Sequence, residues 1–387
     1  MAVFYVDMPP VGVVPDVTDG LSPSAPLYGL DKVSQLRLSA GDILALRAGA
    51  VFHLAPGQAP FVIQARGVVG APVRITRYGV GANPLIMARG DIGVDVVDSS
   101  YVKIDCLDVQ GGFQAGVRID AKSHHATLEN LMVSNAGFGF EIHGSQSFFA
   151  HNSIHDLRMI LNTPGGDDDY GAVAFAIQGD HNEFAYNRVW RAKAASFDYG
   201  TDGGGFEFWK SVKGVKIHHN WVEDSAGFSE AGGEGAGDTL AQIEIFDNVS
   251  YNNGVFQWMH NAPQVGKFGL DVKGVFVHHN TLIEATSREL VGFDGPVSFG
   301  SYVFTKNLVV APFARMFNQK GPFHFDNFYE VAIRHAGVGE IFGPVRFVES
   351  VASRFQVRKG EKAEAYGAEN LGLQPDAFGQ KRCRPDF

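Results

Sequence analysis

The sequence has only two cysteines, Cys106 and Cys383, which excludes both a scaffold of several disulfides and a four-cysteine zinc cluster. It has no apolar run near the ~20 residues that a membrane-spanning helix requires. It has no cluster of lysine and arginine, and its formal net charge is −10. Nucleic acid and anionic membrane surfaces are therefore disfavoured as partners.

The composition is that of a folded chain with many tight turns. Hydrophobic residues make up 45% and charged residues 19%, so the chain can bury a core and is not disordered. Glycine is abundant, at 47 residues, and glycine is the residue most tolerant of tight turns. Phenylalanine, at 31 residues, far outnumbers tryptophan and methionine, which favours stacked β-ladders over helical packing.

A short pattern repeats along most of the chain, with an asparagine between two apolar runs. Its members are Asn130, Asn152, Asn187, Asn220, Asn248, Asn280, Asn307 and Asn327, and Cys106 holds the corresponding place before them. The first two steps are 24 and 22 residues long, the size of one coil of a three-sided β-helix, and most of the later steps are longer. A fixed period of this length predicts a solenoid.

The physics of a stacked coil explains the asparagine. Every coil turns at the same place, and asparagine tolerates a left-handed backbone better than other non-glycine residues. Stacked asparagine side chains also hydrogen-bond from one coil to the next. We therefore predict an all-β chain that folds as a single-stranded right-handed parallel β-helix, with Asn at a left-handed corner.

Three regions follow from this pattern. Residues 1–50 lack the asparagine pattern and are predicted to form a strand and helix cap over the first coil, because an uncovered end exposes unpaired strand groups. Residues 51–335 are the β-helix, with groove-forming loops at about 155–275. Residues 336–387 are predicted to be a C-terminal covering tail over the other end.

Three segments resemble secreted, carbohydrate-active right-handed β-helix proteins of the pectate-lyase-like superfold. They are Phe4 to Asp7, Ser39 to Gly49 and Ile75 to Pro84. The resemblance extends over nearly the whole chain and implies a polysaccharide or oligosaccharide substrate. It also implies an extracellular or periplasmic protein whose signal is absent from this chain, since Met1 to Asp7 lacks a basic segment and a long apolar stretch. The oligomeric state is left open.

The extra residues of the longer coils contain the candidate catalytic acids. Loops from consecutive coils stack side by side and wall a groove. Glu207 and Glu230 are 23 residues apart, one basic coil, so their side chains are expected about 5 Å apart. Two such carboxylates raise one pKa and leave the other group ionised, as general acid and base roles require. That spacing suits a retaining glycosidase, and a wider pair such as Asp202 and Glu230 suits an inverting one.

Residues near these acids are predicted to bind the substrate. Aromatic rings stack on the apolar faces of sugars, and polar side chains hydrogen-bond to hydroxyl groups. The predicted substrate-binding residues are Tyr199, Trp209, Lys210, Trp258, His260, Arg191 and Asp198. Solvated acidic ladders and core aromatics are the simpler alternatives for the same residues. The preferred function is a glycoside hydrolase that needs no cofactor.

Two other functions remain open. One is a Ca²⁺-dependent uronate polysaccharide lyase or C5-epimerase, in which Asp168 and Asp169 hold calcium, a cation that prefers oxygen ligands. Tyr199 to Asp202 resembles the start of an alginate epimerase motif, although Gly203 and Gly204 replace its Pro-His. In that case Tyr199, Lys210 or Arg191 transfers the proton. The other is a non-catalytic glycan-binding module.

Overall fold

Three long parallel sheets make up most of the molecule. The computed structural model describes residues 1–9, 18–263, 268–285, 289–311, 316–320, 322–348 and 355–368, and Cys383 and the end of the predicted tail lie outside these ranges. Within the described ranges, the chain passes from sheet 1 to sheet 3 to sheet 2 and then starts the next coil. Each strand pairs in parallel with its equivalent one coil later. The architecture is a parallel β-helix.

Sheet 1 has 14 described strands: Val3–Asp7, Leu27–Tyr28, Ile43–Arg47, Val73–Tyr78, Val102–Asp105, Thr127–Glu129, Phe148–Ala150, Glu183–Ala185, Val212–Lys213, Lys216–His218, Thr239–Phe246, Asp271–His278, Tyr302–Thr305 and Phe323–Phe325. Sheet 2 has nine: Phe61–Ile63, Ile92–Val96, Ala115–Ile119, Phe138–Ile142, Val173–Ile177, Gly204–Trp209, Ser229–Gly232, Gln257–Met259 and Val291–Phe293. Sheet 3 has 12: Val51–Leu54, Leu85–Ala88, Asp108–Gly111, Met132–Ser134, Ser153–His155, Arg188–Trp190, Trp221–Glu223, Val249–Tyr251, Thr281–Ile283, Leu308–Val310, Phe328–Tyr329 and Ile341–Phe342.

Short elements complete the described chain. Three two-stranded sheets pair Leu38–Ser39 with Ala65–Arg66, Met159–Leu161 with Tyr170–Gly171, and Ala194–Ser196 with Gly200–Asp202. The helical elements are an α-helix at Leu30–Val33 and a 3₁₀ helix at Lys362–Ala365. Among the residues that the structure describes, no helix has the length and hydrophobicity needed to span a membrane.

The asparagine ladder is confirmed from Asn152 onward. The amide of Asn187 donates to Asn220 Oδ1 at 2.9 Å, and that of Asn220 donates to Asn248 Oδ1 at 3.0 Å. The same bond continues through Asn280 and Asn307. Because these side chains are buried, each bond satisfies groups that water cannot reach.

The predicted conformation of the asparagines is wrong for most coils. The left-handed residue is the one before the ladder asparagine, such as His151 at φ 55° and His219 at φ 55°. Cys106 and Asn130 are left-handed at φ 59° and 57°, but strand register aligns them with His151. Leu131 takes the ladder place and donates its backbone N–H to Asn152 Oδ1. The first two members of the pattern are therefore one position out of register.

A column of aromatic rings fills the core of the middle coils. Phe140, Phe175 and Phe206 are fully buried and stack at centroid distances of 5.1 Å. Phe228 and Phe256 continue the column at 4.8 Å. Alternation along the strands of sheet 2 puts Phe140, Phe175 and Phe206 inside, so the residues next to them face outward. Phe228 and Phe256 immediately precede their strands. This rigid column holds the outward-facing residues in register.

The two terminal segments pack against the solenoid in different ways. Val3–Asp7 and Ile43–Arg47 are already strands of sheet 1, and the helix Leu30–Val33 is a single turn with buried Leu30 and Val33. The described tail starts at the end of the stack, where Ile341–Phe342 pairs with Phe328–Tyr329 and Val338 bridges to Phe325. Its later part lies along the outer face of sheet 3, where Phe355 stacks on Trp221 at 5.4 Å. The tail therefore adds a strand at the end of the stack and also packs along its side, and the predicted domain boundary at residue 336 stays a prediction.

Candidate active site

Glu207 and Glu230 occupy neighbouring positions on the outer face of sheet 2. Strand register pairs Glu207 directly with Glu230, and Glu230 directly with Trp258. Phe206 and Phe208, which flank Glu207, belong to the core, so the glutamates lie on the opposite face. The predicted alignment of these two residues is confirmed, because the 23 residues from Glu207 to Glu230 make one basic coil and the loop insertion of that coil follows Glu230.

Two rows of outward positions run along this face. One row contains Ala176, Glu207, Glu230, Trp258 and Gly292, in that order. The other row, two residues further along each strand, contains Gln178, Trp209, Gly232, His260 and Asp294. Adjacent strands are about 4.8 Å apart, so each row places its side chains at that interval.

The carboxyl group of Glu207 is shielded from water. Only 7% of the residue is exposed, and Trp209 Nε1 donates to its Oε2 at 3.1 Å. Burial and then the negative charges of Glu230 and Asp202 raise the pKa of Glu207 well above its ordinary value. The group is therefore suited to hold a proton at neutral pH.

Glu230 is tied to a histidine and a second carboxylate. His260 Nε2 lies 2.7 Å from Glu230 Oε1, and His260 Nδ1 lies 2.7 Å from Asp294 Oδ2. Burial alone would lower the pKa of His260, but the two carboxylates outweigh it and raise that pKa to about 9. A protonated imidazole donates from both nitrogens, which matches two carboxylate acceptors.

Asp294 was missed by sequence reasoning, and His260 was predicted only as a sugar contact. Trp258 Nε1 also donates to Asp294, at 2.9 Å to Oδ1. Asp294 follows the paired strand Val291–Phe293, and its position in the row gives its place beside His260. The coil period alone does not predict the position of Asp294, because the length of the loop before it must also be known.

Insertions wall this face on both sides. Two hairpins, Met159–Leu161 with Tyr170–Gly171 and Ala194–Ser196 with Gly200–Asp202, precede their sheet 2 strands. They are joined by Asn162, whose Nδ2 donates to the Ala195 carbonyl at 3.0 Å. The later insertions follow their strands, and Gly233 bridges to Phe268 between them. Asp202, a predicted catalytic residue, ends the second hairpin and acts on Glu207 through its charge.

The predicted calcium ligands Asp168 and Asp169 lie in the loop of the first hairpin, beside Asp198 of the second hairpin, which was predicted to bind substrate. Carboxylate oxygens of Asp168, Asp169 and Asp198 lie within 4.8 Å of one another. Asp198 Oδ2 also accepts the backbone N–H of Asp168 at 3.0 Å, and Asp169 Oδ2 accepts that of Asp198 at 3.0 Å. Burial would raise the pKa of Asp169, but hydrogen bonds, first from Ser196, hold it below its ordinary value. The oxygens suit calcium and also stabilise the turns, so calcium binding stays a prediction.

Three other predicted substrate-binding residues are paired with acids outside the Glu207–Glu230 pair. Tyr199 donates its hydroxyl to Asp167, and burial followed by this carboxylate raises the pKa of Tyr199. Lys210 pairs with Glu234 at 3.1 Å. Arg191 forms two hydrogen bonds with Asp156, at 2.6 and 2.7 Å, where the chain leaves the sheet 3 strands Ser153–His155 and Arg188–Trp190.

The two predicted platform tryptophans do lie beside the acid pair. Trp209 and Trp258 are partly exposed on the face of sheet 2. The rings of Trp209 and His260 are inclined by only 14°, with centroids 6.2 Å apart. The structure therefore brings together Glu207, Glu230, Asp202, Trp209, Trp258 and His260, and it places Arg191 away from them.

Comparisons with known proteins confirm the predicted fold. A family described as the right-handed beta helix region matches residues 92–282, and none of the curated proteins compared matches the sequence. A rhamnogalacturonan lyase is similar in structure, with a TM-score of 0.60 at 16% identity, covering 98% of this chain and 99% of that chain. Pectate lyase Pel9A gives 0.58 at 18% identity, with 83% and 79% covered. A GH136 lacto-N-biosidase from Eubacterium ramulus gives 0.51 at 12%, with 89% and 68% covered. At these identities the likeness establishes the fold, a right-handed parallel β-helix.

Proposed function

We propose that this protein is a glycoside hydrolase that acts on a polysaccharide or oligosaccharide, with Glu207 as general acid and Glu230 as nucleophile. The observation that carries the proposal is the contrast between the two carboxyl groups. Glu207 is buried with a raised pKa, whereas Glu230 is 32% exposed and hydrogen-bonded to His260. A protonated acid beside a carboxylate is the pair that glycoside hydrolysis requires.

The reaction would proceed in two balanced steps. Glu207 gives its proton to the glycosidic oxygen while a carboxylate oxygen of Glu230 bonds to the anomeric carbon, and the bond from that carbon to the departing sugar breaks. Water then attacks the same carbon, loses a proton to Glu207 and releases Glu230. His260 orients Glu230 through a 2.7 Å hydrogen bond, and Asp294 orients His260 through another of the same length.

The spacing of the acids supports retention of configuration. Glu207 and Glu230 are direct partners on adjacent strands, which are about 4.8 Å apart. Retaining enzymes hold their carboxyl groups about 5 Å apart, and inverting enzymes need a wider gap for water. The direct partnership of these strands supports the nucleophilic role of Glu230.

The charge around the acids favours a neutral glycan. Asp202 and Asp294 add two carboxyl groups to Glu207 and Glu230, and a uronate would meet repulsion there. Trp209 and Trp258 offer apolar surface to a sugar ring beside these groups. A glycan substrate also fits an extracellular or periplasmic location, which remains part of this proposal.

A uronate lyase or C5-epimerase is the second candidate. The cluster of Asp168, Asp169 and Asp198 favours it, as does the fold shared with two lyases. However, the raised pKa of Tyr199 disfavours its use as a base. Lys210 is paired with Glu234, so its charge is partly compensated. We therefore rank hydrolysis above β-elimination.

An assay of products separates these functions. We would incubate the protein with a panel of neutral and uronate polysaccharides, with and without EDTA. New reducing ends without ultraviolet absorbance are expected, whereas absorbance from an unsaturated uronate would show a lyase. Proton exchange at C5 without chain cleavage would show an epimerase, and binding without turnover would show a glycan-binding module.

Matched variants assign the acids. Glu207→Gln and Glu230→Gln should each lower turnover by roughly 100-fold or more. Glu234→Gln is the control, because Glu234 is an exposed acid of the same groove that pairs with Lys210. Equal loss in all three variants, or full activity in both Glu207→Gln and Glu230→Gln, would remove the assignment.

A further inference from the structure

Each tryptophan of the site is followed, one strand later in its row, by a glycine. Trp209 pairs with Gly232, and Trp258 pairs with Gly292. Both glycines are buried although they occupy outward positions. The side chains above them account for this burial.

The benzene ring of each indole lies over the partner glycine. A methyl group on Gly232 would lie 2.7 Å from Trp209 Cη2 and 2.8 Å from Cε3. A methyl group on Gly292 would lie 2.7 Å from Trp258 Cδ2. Neither glycine is among those with a positive φ, so space alone, and not backbone conformation, requires glycine there.

The opposite edge of each indole is also held. Trp209 Nε1 donates to Glu207, and Trp258 Nε1 donates to Asp294. Each ring is thus fixed between a hydrogen bond and a glycine of the next strand. The two indoles and the His260 ring form what we call the indole floor, which begins at the acid pair and continues toward the C-terminal coils. It spans the strands from Glu207 to Gly292, about 14 Å, enough for more than one pyranose ring.

We infer that Gly232 and Gly292 determine substrate specificity by creating this indole floor. The inference rests on the proposed function and names the substrate class. A flat indole binds a neutral pyranose that presents an unbroken patch of C–H groups on one face. The carboxylates of Glu230 and Asp294 border the floor, so they accept hydroxyl protons of a neutral sugar and repel a uronate.

Binding measurements on glycine variants test the inference. We would titrate the wild-type protein, Gly232→Ala and Gly292→Ala with neutral hexasaccharides and with an oligogalacturonate, using calorimetry and tryptophan fluorescence. The chain has four tryptophans, so a change at the floor is a large part of the signal. Neutral hexasaccharides should bind, and each variant should lose affinity by about tenfold. Gly227→Ala is the matched control, because its added methyl meets only a backbone oxygen at an ordinary 3.7 Å.

The outcomes distinguish this inference from the proposed function. Wild-type affinity in both glycine variants, equal or tighter binding of the oligogalacturonate, or no binding of any neutral hexasaccharide would overturn it. If neutral hexasaccharides bind, the glycine variants weaken that binding, and no turnover is seen, the indole floor is supported and the proposed hydrolase function is contradicted. If a glycine variant does not fold, Trp258→Leu removes one indole of the floor without a clash and should show the same loss.

Discussion

The substitution Asp294→Asn should lower the pKa of His260 by about one pH unit. In the native protein two carboxylates, each 2.7 Å from a ring nitrogen, raise this pKa from 6.5 to about 9 against the opposing effect of burial. Removing one charge leaves the Glu230 pair and the burial intact. Since Asp294 is one of two partners at equal distance, roughly half of the rise is expected to disappear.

The measurement is an NMR titration of the His260 ring, assigned with a His260→Asn variant. It needs no substrate, so it tests the site independently of the activity. Asp326→Asn is the control, because Asp326 pairs with Lys306 on sheet 1 and carries the same charge. An unchanged midpoint in Asp294→Asn, or an equal shift in Asp326→Asn, would refute the proposed contact.

The same titration has a consequence for stability. The pKa of His260 is higher in the folded protein than its ordinary 6.5, so the folded state binds the proton more tightly. The ionic contacts of His260 therefore contribute fully below about pH 6.5 and are lost as pH rises through about 9. The alkaline limit of activity should move to lower pH in Asp294→Asn.

Three further predictions follow from the structure. Glu207→Gln should unfold at a higher temperature than the wild type at pH 7 and lose this advantage near pH 4. The reason is that each unit by which the fold raises the pKa of Glu207 lowers the free energy of unfolding at neutral pH by about 1.4 kcal/mol. An unchanged melting temperature at pH 7 would contradict this. Asn220→Ala should lower the free energy of unfolding by ~3 kcal/mol or more, since its side-chain amide makes five hydrogen bonds with buried or partly buried groups; Asn162→Ala is the denaturation control, because Asn162 is exposed and its backbone is not left-handed. EDTA should leave hydrolysis unchanged, because the acid pair acts through side chains alone. A loss of activity in EDTA that Ca²⁺ restores in the wild type, but not in Asp169→Asn, would contradict this.

The solenoid could be predicted because one physical requirement recurs in every coil. Buried asparagines must pair along the stack, so the residue type repeats at the coil period. The register of the first coils could not be read in the same way. Asn130 precedes a leucine, and only the strand pairing shows that Leu131 is the partner of Asn152.

The pairing of Glu207 with Glu230 could be predicted for a similar reason, whereas the contact of His260 with Asp294 could not. Glu207 and Glu230 are separated by one basic coil length, because the insertion between their Asn ladder positions lies after Glu230. His260 and Asp294 are separated by a longer coil, so their contact depends on loop lengths that the pattern does not give. The lengths of the insertions also do not predict on which side of sheet 2 each loop lies. The first two loops precede their sheet 2 strands and the later two follow theirs, so they lie on opposite sides.

The configuration of the first product tests the central claim most directly. Proton NMR of a cleaved polysaccharide, recorded before the new reducing end equilibrates, shows whether the anomeric bond keeps its orientation. Glu207 and Glu230 on adjacent strands predict retention. An inverted product, or an unsaturated uronate at the new end, would contradict the account.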